Sequence, residues 1–136
     1  MAYWLVKSEP TTYSFDQLVK DKRTHWDGVR NFTAALNLKA MKKGEQCLFY
    51  HSNEGKEIVG IVEVLKEAVP DPKDKTGKFV MVDLGPVKKL KKPVTLAAIK
   101  ADPRFKEFQL VRQSRLSVAK VTDAEWKAVL KMGENA

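Results

Sequence analysis

His25-Trp26-Asp27-Gly28-Val29-Arg30-Asn31 sets a large π-face, a carboxylate, a glycine, a guanidinium and an amide in one short run, with only Val29 wholly apolar. Gly28 can take a positive φ that most residues avoid, so Asp27-Gly28 reads as a turn. Thr24 to Trp26 then reads as a short strand delivering Trp26 to that turn, and Asn31 as the N-cap of the next helix. Strand, turn and helix start meet here, so the fold is mixed α and β. A buried Trp before a tight loop, with Arg30 as a solvated charge, accounts for the same residues without any ligand.

Downstream of this junction, Phe32, Ala35, Leu36, Leu38 and Met41 have helical spacing, and Gly44 supplies a stop. Upstream, Tyr3 to Val6 is an aromatic and β-branched run that predicts a first strand, ending in the turn Lys7-Ser8-Glu9-Pro10. Ser14 and Gln17 have capping-box spacing ahead of Phe15, Leu18 and Val19, which predicts a helix ending near Lys20. Gln46 to His51 reads as a strand, Ser52 to Lys56 as a turn, and Ile58 to Val69 as a long strand covered on both faces. Phe79 to Leu84 continues past Gly85-Pro86 toward Lys89. Thr95 caps a short helix through Lys100, Leu116 to Val121 closes the strand set, and Thr122 with Glu125 opens an amphipathic helix carrying Trp126, Val129 and Leu130.

Strands and helices do not alternate regularly, which disfavours a doubly wound sheet. The expected architecture is α+β, a barrel-like sheet of five to six strands flanked by short helices, as one domain over residues 1–136. A chain of 136 residues with 43% hydrophobic and 31% charged residues suits a single buried core. One cysteine, Cys47, excludes an internal disulfide, and the opening residues lack a leader pattern, so a cytoplasmic location is expected. The longest apolar runs fall far short of the roughly twenty residues that cross a bilayer, so no membrane association is expected.

The net charge of +8 is uneven. Residues 1–70 hold 10 Lys and Arg against 9 Asp and Glu, whereas residues 71–136 hold 15 against 8. A basic half suggests a polyanionic partner, most often nucleic acid. Lys88, Lys89, Lys91 and Lys92 are explained first as a solvated edge and second as a phosphate patch.

Candidate catalytic groups are few. Cys47 and His51 on one strand would lie about 13 Å apart, four residues at about 3.3 Å each, too far for a dyad. Two His and one Cys offer no metal-ligand spacing, and no glycine-rich phosphate loop is present, so neither metal nor cofactor is expected. Glu9 and Asp27 would make a carboxylate pair only if their loops meet. The sequence does offer aromatic faces and polar edges, Trp4, Tyr13, Trp26, Tyr50 and His51 with Ser8, Glu9, Asn31 and Ser52, of the kind that holds a nucleobase. Each aromatic taken singly fits a core, and Trp126, at helical spacing with Val129 and Leu130, is read as core.

Tyr3-Trp4-Leu5-Val6-Lys7-Ser8-Glu9-Pro10, Trp26-Asp27-Gly28-Val29-Arg30-Asn31, Leu48-Phe49-Tyr50-His51-Ser52-Asn53 and Arg115-Leu116-Ser117-Val118 resemble the EVE domain. The resemblance covers essentially the whole chain, including Val59-Gly60 and Pro93-Val94-Thr95-Leu96. EVE domains belong to the PUA-like superfamily with YTH and ASCH domains, which implies a PUA-like β-barrel with a small pocket for a modified nucleobase and no catalysis. By the same resemblance Trp26 would form an aromatic wall beside the Lys7-Ser8-Glu9-Pro10 loop and Asp27; Tyr13 and Gly28, singled out above as an aromatic face and a turn residue, are added as candidates for the same pocket. Asn31, Tyr50, His51, Ser52, Arg115, Leu116 and Ser117 complete it. One departure stands out: EVE sequences often carry a longer Asp- and Tyr-containing insert before the strand at Phe79. Here Pro70 to Lys78 is short, so that wall is either absent or supplied by Phe79.

The resulting expectation is a non-catalytic monomeric reader of methylated or hydroxymethylated cytosine, or methylated adenine, in DNA or RNA. Arg30, Arg112, Arg115 and Lys120 would hold phosphates, and a separate effector enzyme would act on what is read. The competing classes are a nucleic-acid hydrolase using Glu9 or Asp27 and a small-metabolite or protein-interaction module.

Overall fold

A computed structural model describes residues 2–52 and 55–134 of the chain; Asn53 and Glu54 of the expected 52–56 turn lie outside them. In chain order the elements are β1 (Tyr3–Ser8), α1 (Phe15–Asp21), β2 (Thr24–Trp26), α2 (Phe32–Ala40), β3 (Gln46–His51), β4 (Glu57–Pro70) and β5 (Val80–Thr95). There follow α3 (Leu96–Lys100), one turn of 3-10 helix (Pro103–Phe105), α4 (Gln109–Arg112), β6 (Val118–Val121) and α5 (Asp123–Glu134).

The strands form one sheet in the order β2-β5-β4-β3-β1-β6. Only β1 and β3 run parallel, with Tyr3 opposite Gln46 and Ser8 opposite His51. The expected α+β fold of five to six strands with flanking short helices is the one observed. Its ladder keeps two edges, β2 and β6, rather than closing by hydrogen bonds. α2 closes the gap instead: it packs against β4 and β5 and also against the far edge strand β6, so the sheet curls around it. Ala34 and Ala35 allow that close approach, and buried Asn37 donates from Nδ2 to the Val118 carbonyl at 2.7 Å.

The four sequence caps all form. Ser14, Asn31 and Thr95 accept the N–H groups of Gln17, Ala34 and Ala98. Thr122 and Glu125 make both bonds of a capping box, at 2.9 and 3.1 Å. Trp126 is core as expected, stacked on Tyr3 with ring centroids 4.1 Å apart. β4 is buried continuously from Ile58 to Val62, then opens beyond Leu65, where Lys66, Glu67 and Pro70 are exposed and Ala68 and Val69 half-buried.

Boundaries moved for identifiable reasons. α2 stops at Ala40 rather than near Gly44 because Met41 turns extended and is fully buried. β5 runs to Thr95, since Leu90 and Val94 keep burying side chains beyond Lys89. β2 pairs only Val82 to Leu84 of β5, so the Lys88 to Lys92 stretch does lie along an open edge, with those lysines exposed. β6 begins at Val118, because Leu116 and Ser117 turn back, the Ser117 carbonyl accepting the Lys7 N–H at 3.0 Å.

Candidate functional site

The turn quoted first is held from a distance. Gly28 has φ of 76°, and its N–H donates to Asp71 Oδ2 at 2.8 Å. Arg30 Nη1 donates to the same oxygen at 2.9 Å, and the Lys73 N–H donates to Oδ1 at 2.8 Å. Burial pushes the Asp71 carboxyl up, but these three donors and the Arg30 charge outweigh it and hold it below the usual carboxylate range. One buried carboxylate therefore fixes the exit from Trp26.

Trp26 is partly buried and packs edge-to-face on Phe49 at 5.7 Å and 80°. Beside it opens a cavity of about 500 Å3, lined by Lys7, Ser8, Thr12, Tyr13, Thr24 to Asn31 and Ser117. That volume suits a small organic ligand. All three residues of β2 line it, although side chains alternate across a strand. The cavity therefore runs along the unpaired edge of β2, whose main-chain groups join the side chains as possible donors and acceptors.

Ser8 Oγ donates to the Tyr13 carbonyl at 2.8 Å, which ties the 8–13 loop over the cavity. Tyr13 donates its hydroxyl to Asp21 Oδ2 at 2.8 Å; burial first, then that carboxylate, raises its pKa. Asn31 Oδ1 accepts the Ala34 N–H at 3.0 Å, which leaves the Nδ2 group as its donor. Lys7 Nζ donates to the Ser114 carbonyl at 2.9 Å, and burial lowers its pKa. Asp27 pairs with Lys73 at 3.2 Å.

Of the expected site residues, Ser8, Tyr13, Trp26, Asp27, Gly28, Arg30, Asn31 and Ser117 line this cavity. Arg112, Arg115 and Leu116 instead line a neighbouring cavity of about 360 Å3, which shares Asn31 as a wall. Glu9, Pro10, Tyr50, His51 and Ser52 stand outside both linings. Tyr50 is 4% exposed, His51 Nε2 accepts the Phe15 N–H at 3.1 Å, and the Ser52 N–H donates to the Ser8 carbonyl at 2.9 Å. Of these, Ser52 is bonded directly to a residue of the cavity wall, Ser8. Lys120 lies opposite Trp4, four residues or about 13 Å along β1 from Ser8.

Of the two carboxylates considered as a pair, Asp27 lines the cavity and Glu9 does not. Cys47 is fully buried, its thiol pushed well up by burial, and His51 is committed to Phe15, so no dyad forms. Among the described residues no group of His, Cys, Asp and Glu could hold a metal. Phe79 does not line the cavity but packs on Phe32 and Arg30.

Sequence reasoning missed Asp71 and the His25–Asp83 pair, whose Nδ1 and Oδ1 are 2.6 Å apart. Asp83 also accepts from Arg23 at 2.7 Å; burial raises its pKa, and the His25 and Arg23 bonds bring it below the ordinary range. His25 and Asp83 are direct cross-strand neighbours, so a correct β2–β5 register would have found them. Asp71 carried no such signal.

A mixed sheet curled on one helix, with a tryptophan cavity along its short edge strand, places the chain in one fold class with the YTH domain of Zygosaccharomyces rouxii MRB1. That domain, solved with N6-methyladenosine RNA, matches at TM-score 0.60 and 16% identity over 99% of this chain and 88% of its own, a likeness of fold. Within that class the chain belongs to the EVE domain family, whose model matches residues 2–132. It is 56% identical to Rpa0253 from Rhodopseudomonas palustris, with a TM-score of 0.93, 98% of this chain and 93% of that one being covered. Thymocyte nuclear protein 1 of Homo sapiens is 32% identical over 98% of this chain and 74% of its own length. The human THYN1 protein in complex with 5-methylcytosine-containing DNA matches at TM-score 0.92 and 33% identity, over 100% of this chain and 99% of that one. Among the described residues no helix is long and apolar enough to cross a membrane.

Proposed function

We propose that this chain is a non-catalytic reader of a modified nucleobase in DNA or RNA, acting as a single-domain monomer. The observation that carries the reading is the cavity of about 500 Å3 with Trp26 at its wall, in a chain matching along its whole length a relative solved with 5-methylcytosine DNA. A nucleotide leaves its stack, and its base lies on Trp26. Ser8, Asn31, Asp27 and the free edge of β2 read its polar rim. Tyr13, Gly28 and Ser117 shape the space. Glu9, Pro10, Tyr50, His51, Ser52 and Leu116 brace it from outside. Burying one methyl is worth only about 0.8 kcal/mol, so discrimination also needs the aromatic face and cavity shape.

Arg30, Arg112 and Arg115 hold flanking phosphates, and Lys120 extends the field at greater distance. No metal or cofactor is required. The reader works in the compartment that holds its nucleic acid, the cytoplasm of a cell without a nucleus or the nucleus of one that has it, and hands the marked site to a separate effector enzyme.

Binding of the wild type and Trp26→Ala to matched DNA and RNA oligonucleotides with plain or methylated cytosine and adenine, at two salt concentrations, tests this. The expected result is a preference for one modified base that disappears in Trp26→Ala, leaving weak salt-sensitive binding, with every oligonucleotide recovered intact. Unchanged discrimination in the variant overturns the pocket. Turnover lost in Glu9→Gln and Asp27→Asn would establish the hydrolase instead.

A further inference from the structure

Phe32 is the most exposed large apolar residue of the described chain at 65%, and Leu36, one helical turn further along α2, follows at 64%. Residues four apart share a helix face, so the two make one apolar surface. It adjoins the cavities: Asn31, the residue before Phe32, lines both of them, and Thr33, the residue after, lines the second.

The Phe32 ring is also held in place. It stacks on Phe79 with centroids 5.2 Å apart and planes 27° apart. Phe79, 9% exposed, carries the Arg30 guanidinium 5.3 Å from its centroid. Arg30 lines the first cavity and is anchored on Asp71. Arg30, Phe79 and Phe32 thus form one tier that starts at the cavity rim and ends in an aromatic ring open to solvent. Stacked nucleotides are spaced about 3.4 Å apart along a strand, so this tier spans one to a few nucleotides.

We propose that Phe32, supported by Phe79 and edged by Leu36, is the stacking platform for the nucleobase adjacent to the one held in the Trp26 cavity. The inference rests on the reader function above and adds a second contact to it. A base is the occupant because the platform leads directly from a cavity flanked by Arg30, Arg112 and Arg115, where a polyanion would pass. Every nucleobase has a π-face, so the contact tolerates any flanking sequence. It also replaces the stacking lost when the modified base leaves its neighbours. The platform makes a strand bind better than an isolated nucleotide, without altering which base the cavity selects.

The test compares two probes carrying the base selected by the wild type: its 5′-mononucleotide, and a single-stranded nine-mer with 2-aminopurine on one side or the other of that base. Phe32→Ala is expected to weaken the nine-mer about tenfold, the size of one base–aromatic stack, and to leave the mononucleotide unchanged. Phe32→Tyr is expected to keep nine-mer affinity. Quenching of 2-aminopurine on one side by the wild type is expected to vanish in Phe32→Ala. Trp26→Ala serves as the control for the cavity. If it abolishes selection of the modified base while Phe32→Ala binds the nine-mer like the wild type, the platform is overturned and the reader stands. Equal weakening of both probes by Phe32→Ala overturns it too, as a purely structural effect. Loss of Trp26 dependence altogether removes the reader and the platform with it.

Discussion

Asp71 decides more about this site than any residue in the stretch that announces it. Its buried carboxylate binds Gly28 and Arg30 from 43 and 41 residues away in sequence, and those bonds hold the turn after Trp26. Asp71→Ala is expected to lower the unfolding free energy by about 2 kcal/mol, measured by urea titration, because hydrogen bonds to a charged group are lost from a buried position. The pH dependence has a definite sign. The folded-state pKa of Asp71 is depressed, so its contribution is fully present above the unfolded value of about 3.9 and is lost as pH falls through the lower folded value. The stability gap between wild type and Asp71→Asn should therefore narrow between pH 5 and the acid limit. The His25–Asn31 stretch was legible as a candidate site because its polar groups exceed what a core needs, and all of it lines the cavity. Asp71 was not, because a lone Asp between two prolines has no local pattern, and its partners are chosen by how β4 and β2 meet β5.

At the level of elements, caps translated directly from sequence to structure because they are local: a side chain at one position satisfies an N–H three residues on. Ser14, Asn31, Thr95 and Thr122 all behave so. The 3-10 turn at Pro103–Phe105 and the four-residue α4 were not foreseen, since so few residues show no periodicity. Packing between elements is likewise hidden in single residues. A Cβ on Gly60 of β4 would come within 2.5 Å of the Phe15 ring, which is 1% exposed at the start of α1. Gly60→Ala must therefore push the buried Phe15 ring, which anchors the start of α1, away from the sheet, at an expected cost of about 2 to 3 kcal/mol by urea denaturation. The same variant should weaken ligand binding, because the loop that leads into α1 carries Tyr13 to the cavity.

Across the whole molecule, strand number, the four capped helices and the basic half were readable, whereas the way the sheet curls onto α2 was not, since it depends on Asn37 finding Val118 across 81 residues. The same curl brings Arg112 and Arg115 to the wall of the neighbouring cavity, which shares Asn31 with the first. If they hold phosphates, the logarithm of affinity for single-stranded DNA falls linearly with the logarithm of salt concentration, and each Arg→Gln substitution should flatten that slope by about 0.7. Binding isotherms at four salt concentrations would measure it, and an unchanged slope would remove these arginines from the contact. β1 has a different consequence, for biosynthesis. It is translated before every other strand of the sheet, yet its neighbours there are β3 and β6, and β6 spans Val118–Val121. At about 5 to 20 residues per second, a ribosome leaves β1 without one flank for roughly 6 to 23 seconds. The sheet therefore completes only once β6 has been made, and a nascent chain stalled before residue 118 would expose the β1 edge to chaperones.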